Sequence, residues 1–186
     1  MCRIQNIDSV FEMTEDAKPS GIGGWLILPV IGLILLPINL LVMLVTIYSP
    51  IFTDGYWEVL TTPGSEIYHP MWAPVLIYEV VGNIVFLIGS LLLLVLLFRK
   101  HYLFPKLMIW FLAVNVVFIG IDLFLADLIP SVAAEPDPEG MKDFVRSIIT
   151  AVIWIPYFIL SKRVQNTFVR PVEKDVDPGE GVYQLG

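Results

Sequence analysis

Four long apolar runs dominate this 186-residue chain, at residues 24–48, 74–98, 107–129 and 144–160. An α-helix rises about 1.5 Å per residue, so roughly 20 residues cross the ~30 Å hydrocarbon core of a bilayer. The first three runs reach that length with some tilt. The fourth is shorter, and its helix is expected to continue through Ser161, giving a span at 144–161. Soluble domains are about 45–50% apolar, whereas this chain is 56% hydrophobic, with the excess concentrated in the runs. Four buried helices in so short a chain would leave too little polar surface to cover them. The runs also lack the polar/apolar alternation of a transmembrane β-barrel. The expected fold is therefore an all-α membrane protein, a four-transmembrane-helix bundle. A segment at 1–22 precedes the 23–169 membrane domain, and a polar, disordered tail at 170–186 follows it.

The placement of charge sets the expected orientation. The net charge is −7, which argues against nucleic acid as a partner. Of the 11 basic residues, Arg3, Lys18, Arg99, Lys100, Lys106, Lys162, Arg163, Arg170 and Lys174 fall on one side of a four-span topology. Only Lys142 and Arg146 fall on the other. The positive-inside rule then places both termini in the cytoplasm. The first 20 residues carry Asp8, Glu12, Glu15 and Asp16 and no apolar core, unlike a cleavable signal. The outward loop 49–73 has no basic residue, and its Phe52, Tyr56, Trp57, Tyr68 and Trp72 suit the outer headgroup layer or a cap over the helices.

The costly residues lie inside the spans. At about 100° per residue, each span has one face that is not plain hydrocarbon. The first offers Gly32, Asn39, Met43 and Thr46. The second offers Glu79, Gly82, Asn83, Phe86, Gly89 and Ser90. The third offers Asn115, Ile119, Asp122 and Ala126, and the fourth Arg146, Thr150, Ile153 and Tyr157. With both termini inside, Glu79 lies about 8 Å and Asp122 about 10 Å below the outer boundary, with Arg146 level with them. The expected intramembrane cluster is Glu79, Asn83, Asp122, Arg146, Asn39 and Asn115, with Arg146 forking hydrogen bonds to both carboxylates. Such side chains at helix contacts often serve as packing glue, but ionisable ones in a membrane are rare and frequently functional. Pro29, Pro37 and Pro156 interrupt spans one and four. At the inner end, Trp154, Tyr157, Lys162, Arg163 and Phe168 read as an interface anchor, with Phe168 lying back onto the membrane.

Two stretches carry a resemblance. GGWLILPVIGLILLP at 23–37 and WIPYFILSKRVQNTFV at 154–169, together with the Glu79–Asn83 pair, resemble the YdgK-like bacterial inner-membrane family, whose shared domain has no assigned function. The resemblance covers roughly 20–169, and the S-K-R-V-x-N-T-F end is its most specific part. It implies a four-helix protein of the bacterial inner (plasma) membrane and supplies no reaction.

Phosphate loops, nucleophile elbows and Cys/His metal spacings are absent from the sequence, so no enzyme activity, cofactor or metal is expected. The leading expectation is an accessory or interaction subunit of the cell envelope. Its partners would be the lipid bilayer and another membrane protein or a second copy, met through a packable face at Gly82 and Gly89. The alternative is a small-solute or proton-coupled transporter or channel, which needs a water-accessible cavity reaching Glu79, Asn83 and Asp122. The orientation is directly testable. Cysteine introduced at Ser65 should react with an impermeant maleimide in intact cells while native Cys2 does not. Labelling of Cys2 alone inverts the topology.

Overall fold

A computed structural model describes residues 21–135 and 138–169 of the chain. The expected disordered tail and all but the last two residues of the 1–22 segment lie outside the described residues. The described residues are helical, with turns between the helices and no strand. A 3-10 turn at Gly24–Leu26 leads into α1, Ile27–Met43. A π-helical segment, Leu44–Tyr48, follows, and then α2, Ser49–Thr53, and α3, Tyr56–Thr61. The long α4, Trp72–Phe98, and α5, Phe104–Asp127, form an antiparallel pair. The short α6, Pro130–Ala133, precedes α7, Pro138–Leu160, and α8, Lys162–Thr167. Four of the described helices are long and apolar enough to cross a membrane: Gly24–Thr53, Trp72–Phe98, Phe104–Asp127 and Pro138–Leu160. Only 6% of the most apolar window of α5 is buried inside the protein, so most of that helix needs a hydrocarbon solvent. This is a multi-pass membrane protein.

The spans differ from the expected ones at two ends. The first runs on to Thr53 through the π segment. The fourth begins at Pro138 instead of 144, because its charged first turns are satisfied along the helix itself. Lys142 pairs with Glu139, and Arg146 with Asp143, each at i,i+3. It also ends at Leu160 and does not continue through Ser161. Ser161 has extended backbone (ψ 115°), and its hydroxyl accepts from the Val164 N–H, so it caps a separate α8. Pro37 and Pro156 sit inside their helices. Pro29 lies in the first turn of α1, where a missing N–H removes no intrahelical bond.

Each long helix packs on its neighbour in sequence: α1 on α4, α4 on α5, and α5 on α7. The α4–α5 contact is made by rings lying over glycine. A Cβ at Gly82 would fall 2.0 Å from the Phe118 ring, and one at Gly89 would fall 3.2 Å from Phe111. Phe86 completes the seam, its ring 5.2 Å from both Phe111 and Phe118. The small residues of α4 therefore seat this chain's own phenylalanines.

Both ends of the membrane domain come together at one end of the molecule. Leu26 and Leu33 from the first span, Leu97 from α4, Phe104 and Met108 from α5, Phe158 from α7, and Val164 and Phe168 form one buried cluster there. Phe168 is buried with its ring 4.8 Å from that of Phe104, so it belongs to the core and not to a membrane surface. Trp154 and Tyr157 pack against the same cluster. Arg163 lies over the backbone at Gly23 and Gly24, where a Cβ on Gly23 would meet its Nη1 at 2.8 Å. The Gly21 N–H donates to Thr167 Oγ1 at 2.8 Å, and that hydroxyl donates to the Arg163 carbonyl at 2.7 Å. Of the expected inner anchor, Phe168 is buried, Trp154, Tyr157 and Arg163 are half-buried, and Lys162 is exposed.

The ring-over-glycine seam generates a stability prediction. Gly82→Ala should destabilise the protein by about 1–3 kcal/mol through overpacking against Phe118. Gly32→Ala, where nothing lies within 4 Å, should be neutral or slightly stabilising. Thermal unfolding of both variants in one mild detergent checks the pair.

Candidate functional site

The end opposite the closed core holds a cavity of about 660 Å³ to which all four spans contribute. Leu36, Leu40, Phe86 and Leu112 line its apolar part, and Glu79, Asn83, Asn115, Asp122 and Tyr48 its polar part. Trp72, Ile129, Asp143 and Arg146 also line it. Ligand sites commonly have this form, largely apolar and about 300–1,000 Å³, with a few convergent polar groups.

The polar centre is a chain of three side chains from two spans. Tyr48 Oη donates to Glu79 Oε2 at 2.9 Å, and Asn83 Nδ2 donates to Tyr48 Oη at 3.3 Å. Tyr48 and Asn83 are 5% and 8% exposed, whereas Glu79 is only half-buried and reaches the cavity. The phenol thus uses its donor on the carboxylate and its acceptor on the amide, which fixes the direction of both bonds. Asp122 lines the same cavity, close enough for its charge to act on Glu79 and Tyr48. Three acids, Glu79, Asp122 and Asp143, face one base, Arg146, so the lining favours positive charge.

Sequence periodicity does not find Tyr48. On a regular wheel it lies about 160° from Gly32, opposite the face expected to turn inward, but within about 60° of Leu33, on the face that is buried. The Ser49 N–H bonds to the Leu44 carbonyl five residues back, so Tyr48 stands in a π turn, and it lines the cavity. Thr46, expected on the inner face, is exposed, and its hydroxyl donates to the Val42 carbonyl at 2.8 Å. A run of β-branched and aromatic residues, Val45–Thr46–Ile47–Tyr48, ahead of Ser49–Pro50 was the available signal of an irregular turn.

The expected cluster is brought together in part. Glu79, Asn83, Asp122 and Asn115 share the cavity. Asn39 does not: it is exposed on the far side of α1, whose buried face is Pro29, Val30, Leu33, Pro37 and Leu40. Arg146 reaches the cavity lining, but its Nη1 donates to Asp143 Oδ1 at 2.6 Å, with its side chain 75% exposed. The expected Arg146 fork between Glu79 and Asp122 is therefore replaced by an i,i+3 pair within α7. Among the described residues, no group of three or more His, Cys, Asp or Glu is arranged to hold a metal ion.

With the cavity and its lining in view, comparison with known families places the chain. The profile described as "Protein of unknown function (DUF2569)" matches residues 19–169. The chain belongs to this family. The match spans all four long helices together with α8, so the cavity and the closed end both fall within the family's domain. No curated protein and no solved structure matches the chain.

Tyr48 and Arg146 should behave oppositely on substitution. Tyr48→Phe removes a hydrogen bond to a carboxylate and strands the buried Asn83 amide, and should lower stability by about 1.5–3 kcal/mol. Arg146→Leu breaks an exposed pair and should change it by less than about 1 kcal/mol. Parallel melts in detergent, with Glu79→Gln as a third variant, read out both.

Proposed function

We propose that this protein is a small-solute transporter or channel that takes a small cationic solute or a proton into the four-span cavity. It works without a catalytic step, cofactor or resident metal. One observation carries the reading: the cavity reaches Glu79, Asn83 and Asp122, while the opposite end of the molecule is a packed core. That is the geometry of an access path open on one side. The acid-rich lining supports the choice of a cation, and the half-buried Glu79, held by Tyr48, supplies an acceptor that an incoming ammonium or proton can share. In this proposal the membrane is the bacterial inner membrane. The packed end, which collects both ends of the domain and the basic residues Arg99, Lys100, Lys106, Lys162 and Arg163, faces the cytoplasm. The cavity opens to the other side.

A second reading, an accessory subunit, is favoured by one feature. Asn39 and Gly32 lie two turns apart on the exposed face of α1, in the middle of an apolar helix. A polar amide beside a small residue on a lipid-facing surface is suited to hydrogen-bonding another transmembrane helix or a second copy.

Thiol accessibility separates the two. In a Cys2→Ser background, Asn115→Cys should react with small charged methanethiosulfonates added to intact cells. The cationic reagent should react roughly tenfold faster than the anionic one, as an acidic cleft dictates. Adding Glu79→Gln and Asp122→Asn should abolish that ratio. If Asn115→Cys reacts only after denaturation, the cavity is dry and the transport reading fails.

A further inference from the structure

A second recess lies on the outside of the molecule, in the seam between α4 and α5. It has a volume of about 550 Å³ and is lined almost wholly by hydrocarbon, by Gly82, Val85, Gly89 and Leu92 of α4 and Trp110 and Val114 of α5. The recess lies beside the Phe111 and Phe118 rings that sit over Gly89 and Gly82. Val85, Leu92, Trp110 and Val114 are all exposed, so the trough faces the surrounding hydrocarbon and not the interior cavity.

Its two walls lead to positive charge at one end. On α5, Lys106 precedes Trp110 by four residues and therefore sits one turn further along the same face. On α4, Arg99 follows Leu92 by seven residues, two turns along the same face. Arg99 and Lys106 are exposed, as is Lys100 at the turn, whose φ of +49° is left-handed. No acidic residue occurs between Glu79 and Asp122 in sequence, and neither ion pair among the described residues uses these three bases. Among the described residues, the turn thus carries three positive charges outside any ion pair, at the boundary expected of a lipid headgroup layer. Along α4 the recess runs from Leu93 to Ile77, about 24 Å of helix, which is long enough to take an extended acyl chain.

We propose that this trough is a binding site for one anionic phospholipid, with an acyl chain along Gly89, Val85 and Gly82 and its phosphate at Arg99 and Lys106. A long greasy slot whose walls lead to a basic pair matches both halves of such a molecule. A transmembrane helix from another chain would match the slot but leave the bases unanswered. The site is independent of the four-span cavity and stands whether or not that cavity carries solute.

Tryptophan quenching tests it, because Trp110 lines the trough and the exposed Trp25 stands at the same end of the molecule outside it. The full-length protein is placed in phosphatidylcholine nanodiscs doped with brominated-chain phosphatidylglycerol, or with brominated-chain phosphatidylcholine at equal mole fraction. Trp110→Phe and Trp25→Phe assign the signal to each ring. The Trp110 component should be quenched several-fold more by the anionic lipid, and Arg99→Gln with Lys106→Gln should remove the difference, each base supplying roughly fivefold in occupancy. Three results overturn the proposal: equal quenching of Trp110 by both lipids, a preference of the same size at Trp25 (diffuse attraction to the basic end), or Trp110 shielded from both lipids (a protein partner or second copy in the trough).

Discussion

Helices in hydrocarbon gain almost nothing by burying leucine against leucine, since lipid tails offer the same surroundings. What remains is close packing, and between α4 and α5 it is made where phenylalanine rings lie over glycine. Phe118 over Gly82 and Phe111 over Gly89 draw α4 and α5 together along their length, with Phe86 wedged between the rings. The other long helices are arranged about that pair: α1 packs on α4, and α7 on α5. The same contact sets the limits of the molecule's hollow places. Phe86 and Phe118 line the interior cavity on one side and the outer trough on the other, so a single aromatic seam separates the two.

The polar interior includes a local irregularity. Tyr48, the donor to the Glu79 carboxylate, stands in a π turn. Extra-residue turns of this kind disrupt the regular ladder and are frequent at functional sites. Here the turn supplies the one hydroxyl that joins span one to span two, and its two bonds tie Glu79 and Asn83 into one unit. The cavity is polar at the level of these three residues and apolar beyond them, where Leu36, Leu40 and Leu112 lead toward the packed end.

Hydropathy alone located all four spans, because a run of about 20 apolar residues has few other uses. The grouping of Glu79, Asn83, Asn115 and Asp122 was also legible, since carboxylates and amides at matching depths seldom face lipid. The failures have separate causes. Arg146 had Asp143 three residues before it, and that pairing needs no tertiary structure. Tyr48 was missed because the inward face of span one was built on Gly32, Asn39, Met43 and Thr46, which lie opposite it on the wheel. Asn39 was placed inward on the assumption that every amide turns from lipid, yet Pro37, Leu40 and Leu33 make the better-packed face. The SKRVQNTF stretch looked like a surface anchor because its bases were conspicuous. Its buried residues, Val164, Thr167 and Phe168, were the informative ones.

The clasp between Gly21 and Thr167 joins residues 146 positions apart. Its consequence concerns the order of events during synthesis. The chain is made from its N-terminus, so the first span enters the bilayer long before α8 exists. Until α8 emerges, Leu26 and Leu97 have no Val164 or Phe168 to cover them, and the packed end stays open. The first span is held meanwhile only by α4 and by Tyr48. Closure is thus the final step of biogenesis, and a chain that stops before Ser161 is left as a tube unsealed at the end that the finished protein keeps shut.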